Sequence, residues 1–225
     1  MKKKLEIGMA CLLIALVILC ATNLKDIVSA TTGNDKRVIV IDAGHGGVDP
    51  GKVGVNNVLE KDINLQIAKL LKEKLEAEGI TVVMTRDSDA GLYNEGDSNK
   101  KISDMKKRCE IIGESECILT VSIHQNSYHE ESVSGPQVFF YGGSKKGEEL
   151  ARKIQKSLVE TLNPPKIRTE KANDSYYLLK NVTCPVVIVE CGFLSNWNEA
   201  TLLCDEVYQE KVAEAVCRGI LEYIE

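Results

Sequence analysis

The sequence predicts an α/β domain with a largely parallel central sheet and helices on both of its faces. Three observations carry that prediction. Beyond residue 36, short runs of β-branched residues alternate with longer stretches of helical period. Those runs are apolar enough to be buried on both faces, as strands of a parallel sheet are. The chain, with 225 residues of which 44% are apolar and 27% charged, has material for one domain with a full core and contains no internal repeat.

Residues 1–30 are a different material from the rest. Three lysines precede 18 uncharged residues, Ile7 to Leu24. A basic start and an apolar run fit a secretory signal peptide or a short membrane anchor; a full span needs about 20 apolar residues, so the length sits at the border. "VSA", Val28 to Ala30, offers small residues for cleavage, rather far from the apolar run. Either reading predicts export, with the membrane as a partner if the segment stays uncleaved. Residues 31–36, "TTGNDK", read as a polar linker, and the domain spans 37–225.

Within the domain, "RVIVIDAG" is a buried strand. "EKDINLQIAKLLKEKLEAEG" places Ile63, Ile67, Leu70, Leu71 and Leu75 at helical spacing, with Gly79 as its stop. "ITVVMTR" is the second strand, and the polar stretch Ser88 to Lys101 an exposed loop. A helix over "SDMKKRCEIIGES" follows, then strands "CILTVSIH" and "PQVFFYGG". "KKGEELARKIQKSLVETL" is a helix that Asn163 and the pair Pro164–Pro165 end. "CPVVIVECG" is the fifth strand, and residues 198–224 close the chain as helix.

The formal charge of −5 and pI of about 5.4 come with no basic stripe, which argues against a nucleic-acid partner. Without residues 1–30 the remainder is near −7. Of eight cysteines, Cys11 and Cys20 lie in the leader; Cys109, Cys117, Cys184, Cys191, Cys204 and Cys217 form no C-x-x-C pair, so no zinc–thiolate site is suggested. The six fit buried thiols as well as disulfides. Cys184 and Cys191, seven residues apart on one strand, are too distant to bond each other, and spacing assigns no pairing.

Three strands end in chemistry: strand one at His45, strand three at His124, strand five at Glu190. Open α/β sheets gather their sites beyond the carboxyl ends of the strands, so central neighbours would bring these side chains together. Two histidines and a carboxylate are a common zinc set with one position left for water, and a hydrolase adds a general base. Asp49, Glu60 and Glu190 are the available acids, and spacing alone does not say which one ligates. The bland readings are an exposed His129 in "NSYHEES" and a Glu60 that merely favours a helix start. Glu190 is harder to dismiss, because a carboxylate adjoining a buried strand is costly unless paired. "GHGG" lacks the spacing of a phosphate loop, and the helix begins about a dozen residues too late for one.

Together "VIVIDAGHGGVDPGKVG", "EKDINLQIAKLLKEKLE", "VVMTRDSD", "SIHQN" and "VIVECGFLSN", in order over about 170 residues, resemble the zinc-dependent N-acetylmuramoyl-L-alanine amidases. The catalytic domain without wall-binding repeats is similar to spore-cortex members of endospore formers, which make muramic-δ-lactam with a deacetylase. The resemblance implies one Zn2+ held by His45, Glu60 and His124, with Glu190 as catalytic acid/base. It implies peptidoglycan as substrate, cleaved between the lactyl group of muramic acid and L-alanine. Asn126 and Gly192, Phe193, Leu194, Ser195 and Asn196 are expected to line the cleft. An isolated catalytic domain invites a regulatory or activating partner protein. The expected location is extracytoplasmic, membrane-associated or secreted, with the space between the forespore membranes as one destination. Departures from the family pattern are Ala43, Gln125 and Gly113, none of them an implied ligand. The competing readings are a wall-remodelling amidase of growth or division, a non-catalytic peptidoglycan-binding domain, and a zinc carboxypeptidase.

Overall fold

The computed structural model describes residues 37–225; the expected leader, residues 1–30, and the linker, 31–36, lie outside the described residues. Six strands, β1 (Val38–Ala43), β2 (Thr81–Met84), β3 (Leu119–Asn126), β4 (Gln137–Phe140), β5 (Lys171–Ala172) and β6 (Val186–Phe193), form one sheet in the order β2-β1-β3-β6-β4-β5. Pairing is parallel except between β4 and β6. The largely parallel sheet is as expected, and β1, β3 and β6 are indeed central neighbours.

Helices α1 (Glu60–Ala77), α2 (Lys100–Glu114), α3 (Lys145–Leu162), α4 (Tyr177–Asn181), α5 (Trp197–Leu202) and α6 (Glu206–Ile224) cover it. Alternation along each strand divides the residues between two cores. Ile39, Ile41, Val121, Val187 and Val189 face the larger core, with Ile67 and Leu71 of α1, Ile154 and Leu158 of α3, and Val216 and Ile220 of α6. Val40, Val186 and Ile188 face the smaller one, with Ile112 of α2 and Leu178 and Leu179 of α4. Asp42, Ser122 and Glu190 share the parity of this second face, so polar chemistry enters the sheet on the α2 and α4 side.

Three departures from the sequence reading have local causes. The single closing helix is two, because the Asp205 side chain accepts from the Tyr208 amide and starts α6 afresh. Helix α2 begins at Lys100, inside the expected loop, because the Asn99 side chain accepts from the Ile102 amide. Strands β3 and β6 run past His124 and Glu190, and the Leu194 amide still donates to the Asn126 carbonyl at 2.8 Å. Among the described residues no helix is long and apolar enough to cross a membrane.

Helices α3 and α6 pack with almost no spacer: a Cβ on Gly219 would lie 2.5 Å from the Ile154 Cα. Helix propensity alone would make Gly219→Ala stabilising by roughly 1 kcal/mol. The overlap predicts the opposite sign, a net loss of about 1–2 kcal/mol, to be measured by urea denaturation.

Candidate metal centre

Past Ala43 the chain leaves the sheet, and His45 takes φ 61°, a left-handed conformation that is strained for a residue with a Cβ. The surroundings hold it there. Arg108 Nη1 donates to the Ala43 carbonyl at 2.8 Å and Nη2 to the His45 carbonyl at 2.6 Å. Arg86 Nε donates to the Ala43 carbonyl at 2.8 Å and Nη2 to the Gly44 carbonyl at 2.9 Å. Gly44 is required by a close approach, since any Cβ there would overlap the His124 imidazole.

Buried arginines need anions. Arg108 Nη1 lies 2.6 Å from Asp42 Oδ1 and Nε 2.6 Å from Asp104 Oδ2. Asp42 also accepts from Thr85 Oγ1 at 2.7 Å and Ser122 Oγ at 2.5 Å. Burial alone would push the Asp42 carboxyl up; Arg108 and the two hydroxyls outweigh it and hold the group down to about 2.

Glu60 opens α1 beneath the loop, almost fully buried. Its Oε1 lies 2.9 Å from His124 Nδ1 and accepts from the Gln125 amide at 3.1 Å. Its Oε2 lies 3.2 Å from His45 Nε2 and accepts from the Lys52 amide at 2.8 Å. Against burial, the two histidines hold the Glu60 carboxyl far below the usual range. On its other side, His45 Nδ1 lies 3.0 Å from Asp49 Oδ2. Asn64, one turn along α1, donates to the Gly44 carbonyl at 3.1 Å and accepts from Gln125 Nε2 at 3.2 Å. His45, Glu60 and His124 each offer a ligand atom, all within 4.8 Å of one another, and could hold a metal ion; among the described residues they are the one such group.

Glu190 faces the same space from β6, opposite His124 in register. Its environment is the reverse of Glu60's: it is 7% exposed, and its Oε2 is buried without a hydrogen-bond partner. Burial first, then the Glu60 charge, pushes its carboxyl up to about 7 against the pull of His124 and His45. Both glutamates and both histidines line a cavity of about 580 Å³, walled also by Asn126, Ser127, Lys52, Lys101 and the Tyr176–Leu178 segment. Tyr176, the residue before α4, is half-buried, and burial and the neighbouring Glu190 push its phenol up to about 12.

The structure thus brings His45, Glu60, His124 and Glu190 together with Asn126, and leaves His129 exposed, as expected. The "GFLSN" segment packs against Asn126. Gly192 and Phe193 are buried because β6 continues through them, and Leu194, just past its end, is buried in the larger core. Ser195 accepts from the Tyr128 amide, and Asn196 donates to the Glu131 carbonyl and caps α5. Phe193, Leu194, Ser195 and Asn196 brace the 126–131 loop, and the five residues are not among those walling the cavity. The sequence reading missed Asp42, Arg86, Asn64 and Tyr176. A signal existed for Asp42 alone, as a charge inside the run "VIVIDAG" that must find a partner.

A parallel sheet whose carboxyl edge gathers a His-Glu-His set and an unpartnered glutamate defines a hydrolase domain with a site fit for a metal ion. The comparisons name the family: a model described as N-acetylmuramoyl-L-alanine amidase matches residues 39–222, and the chain belongs to that family. It is 42% identical over 190 residues, 83% of this chain and 79% of the relative, to the germination-specific N-acetylmuramoyl-L-alanine amidase of Bacillus subtilis (strain 168). Among solved structures it is similar to the CwlD amidase of Clostridioides difficile in complex with the GerS lipoprotein, at TM-score 0.81 and 40% identity over 84% of this chain and 98% of that one. It also resembles the catalytic domain of CwlV from Bacillus (Paenibacillus) polymyxa var. colistinus, at TM-score 0.74 and 29% identity over 84% and 98% of the two chains.

The buried pair beneath the loop sets a prediction. Asp42→Asn, which leaves Arg108 short of an anion, is expected to cost about 3–5 kcal/mol at pH 7. Because the folded-state carboxyl titrates below its unfolded value, the charge-linked part, roughly 2 kcal/mol, is complete above about pH 4. It is lost as pH falls through about 2. Denaturation midpoints measured across that window should fall in the parent protein, and this portion of the fall should be missing in Asp42→Asn.

Proposed function

We propose that the chain is a zinc-dependent amidase that hydrolyses the amide between the lactyl group of N-acetylmuramic acid and L-alanine, releasing the stem peptide. The observation that carries the reading is the pairing of a fully bonded glutamate, Glu60, with one whose Oε2 is buried without a partner, Glu190, across one cavity. The donor set fits zinc. Two imidazoles and a carboxylate are a common catalytic set for that ion. Asp49 on the far nitrogen of His45 is the outer carboxylate that orients such a ligand.

In this proposal His45, Glu60 and His124 hold Zn2+, which when bound supplies Lewis acidity that polarises the lactyl carbonyl and makes water acidic near neutral pH. Glu190 accepts a proton from the attacking water as the C–O bond forms. It then gives that proton to the alanine nitrogen as the C–N bond breaks, so the leaving group departs as a neutral amine. Its buried, unpartnered Oε2 is free for that traffic, whereas both Glu60 oxygens are committed. Asn126, Tyr176 and Lys52 stand where a glycan–peptide substrate would enter.

The germination-specific relative supports spore cortex as the setting, with muramic-δ-lactam formation downstream and an extracytoplasmic location. The structure of the Clostridioides difficile relative includes the GerS lipoprotein, which supports a helper protein as a partner here.

Glu190→Gln is expected to lose about 10²- to 10⁴-fold in muropeptide cleavage while keeping the metal content of the parent, measured on the same sample. His124→Ala should lose the metal as well as the activity. Mass analysis of digested peptidoglycan should find whole stem peptides freed from sugar; release of single terminal amino acids would instead identify a carboxypeptidase. A chelated, metal-free protein that kept full activity would refute the zinc reading.

A further inference from the structure

The six cysteines of the described residues are all free thiols, but two of them are not independent. Cys117 lies two residues before β3, and Cys184 two residues before β6. These strands are parallel hydrogen-bonded neighbours in which Thr120 stands opposite Val186, so the register carries the two cysteines to diagonal places, one residue out of step, at the amino ends. Neighbouring strands run about 4.8 Å apart, which falls inside the Cα separation of about 4.4–6.8 Å that a disulfide spans.

The side chains complete the geometry. The two sulfurs are 3.0 Å apart, and Thr120 Oγ1 lies 3.2 Å from Cys184 Sγ and 3.5 Å from Cys117 Sγ. Both residues are half-buried, so a small reagent reaches them, whereas Cys191 and Cys217 are buried. Cys204 is exposed, and its thiol donates to a backbone carbonyl, that of Ala200.

We propose that Cys117 and Cys184 form a disulfide on exposure to an external disulfide, stapling the amino ends of β3 and β6. The Cys117 thiolate attacks one sulfur of that reagent, breaking its S–S bond and expelling one thiolate. The Cys184 thiol gives up its proton and attacks Cys117 Sγ in the mixed disulfide, expelling the second thiolate. The protein loses two electrons and two protons, and the reagent is reduced to two thiols. Cys117 suits the first step: the shared Cys184 proton, with help from Thr120, holds its thiol down to about 6 against burial, while the same sharing pushes Cys184 up.

The staple would close a loop of 66 intervening residues and act mainly by restricting the unfolded chain. His124 and Glu190 lie six or seven residues further along the same strands, about 20 Å away at strand rise. Stability should change, and the carboxyl-edge geometry should not.

The test uses the full chain, reduced and then equilibrated with glutathione disulfide, with remaining thiols alkylated before peptide mapping. The expected product is a Cys117–Cys184 linked peptide pair about 2 Da lighter than the two reduced peptides. The thermal midpoint should rise by roughly 5–15 °C over the reduced protein. Cys117→Ser and Cys184→Ser should each abolish that rise, and Cys109→Ser should keep it. Alkylation of both residues after oxidation, stable glutathione adducts on either, bonding to a different cysteine, or an unchanged midpoint would each overturn the proposal. The map on the parent protein decides the pairing even if a serine variant fails to fold.

Discussion

Three consecutive carbonyls, those of Ala43, Gly44 and His45, turn away from the sheet and into the guanidinium groups of Arg86 and Arg108. The site depends on that turn. A loop leaving a buried strand must find donors for its carbonyls, and two planar forks supply several at fixed angles. The bonds are charge-assisted and short, so they can hold His45 at a positive φ that a solvent-exposed loop would abandon. The cost is two buried cations, which Asp42 and Asp104 offset for Arg108 and which Arg86 meets by binding only carbonyl oxygens. An apolar loop could not set this conformation, because its carbonyls would be left unsatisfied.

From that fixed loop the two glutamates acquire opposite characters. Glu60 accepts from two backbone amides and faces two imidazoles, so its negative charge is stabilised from every side. Glu190 is surrounded by β6, β3 and the Tyr176 segment and keeps an oxygen with no donor. Identical side chains thereby acquire opposite charge preferences, a division that environment makes and residue type does not. Lys52 and Gln125 contribute to it through their amides, so no side chain in the sequence advertises the contribution.

The legible parts of the sequence were those whose physics is local. "VIVID", "LTVSIH" and "VVIVE" announce buried strands by β-branching, and their order places His45, His124 and Glu190 at one edge. Strand β5, two exposed residues, carries no apolar pattern, and α4 is a single short turn of five. The break between α5 and α6 is hidden because Leu202, Leu203 and Val207 continue an apolar helical pattern across the Asp205 cap. Arg86 ends a strand before a polar loop and looks like a surface charge; two of its carbonyl partners, Ala43 and Gly44, lie more than 40 residues earlier. The true end of β6 was hidden for a related reason. A strand's end is read from where its apolar run stops, and β6 continues because Phe193 and Leu194 still have a partner in Asn126.

That continuation also settles which residues stand beside the cavity. Glu199 accepts from the Gly135 and Phe193 amides, Ser195 from the Tyr128 amide, and Asn196 ties back to Glu131. With Phe193, Ser195 and Asn196 committed to these bonds, the cavity wall includes Asn126 and the Tyr176–Leu178 turn instead. A turn anchored by Leu178 and Leu179 in the smaller core presents Tyr176 beside Glu190 while leaving Tyr177 exposed. The smaller core is therefore more than a cover for the sheet. It sets the cavity wall beside Glu190 from the stretch between α3 and β6, separately from the arginine-held loop.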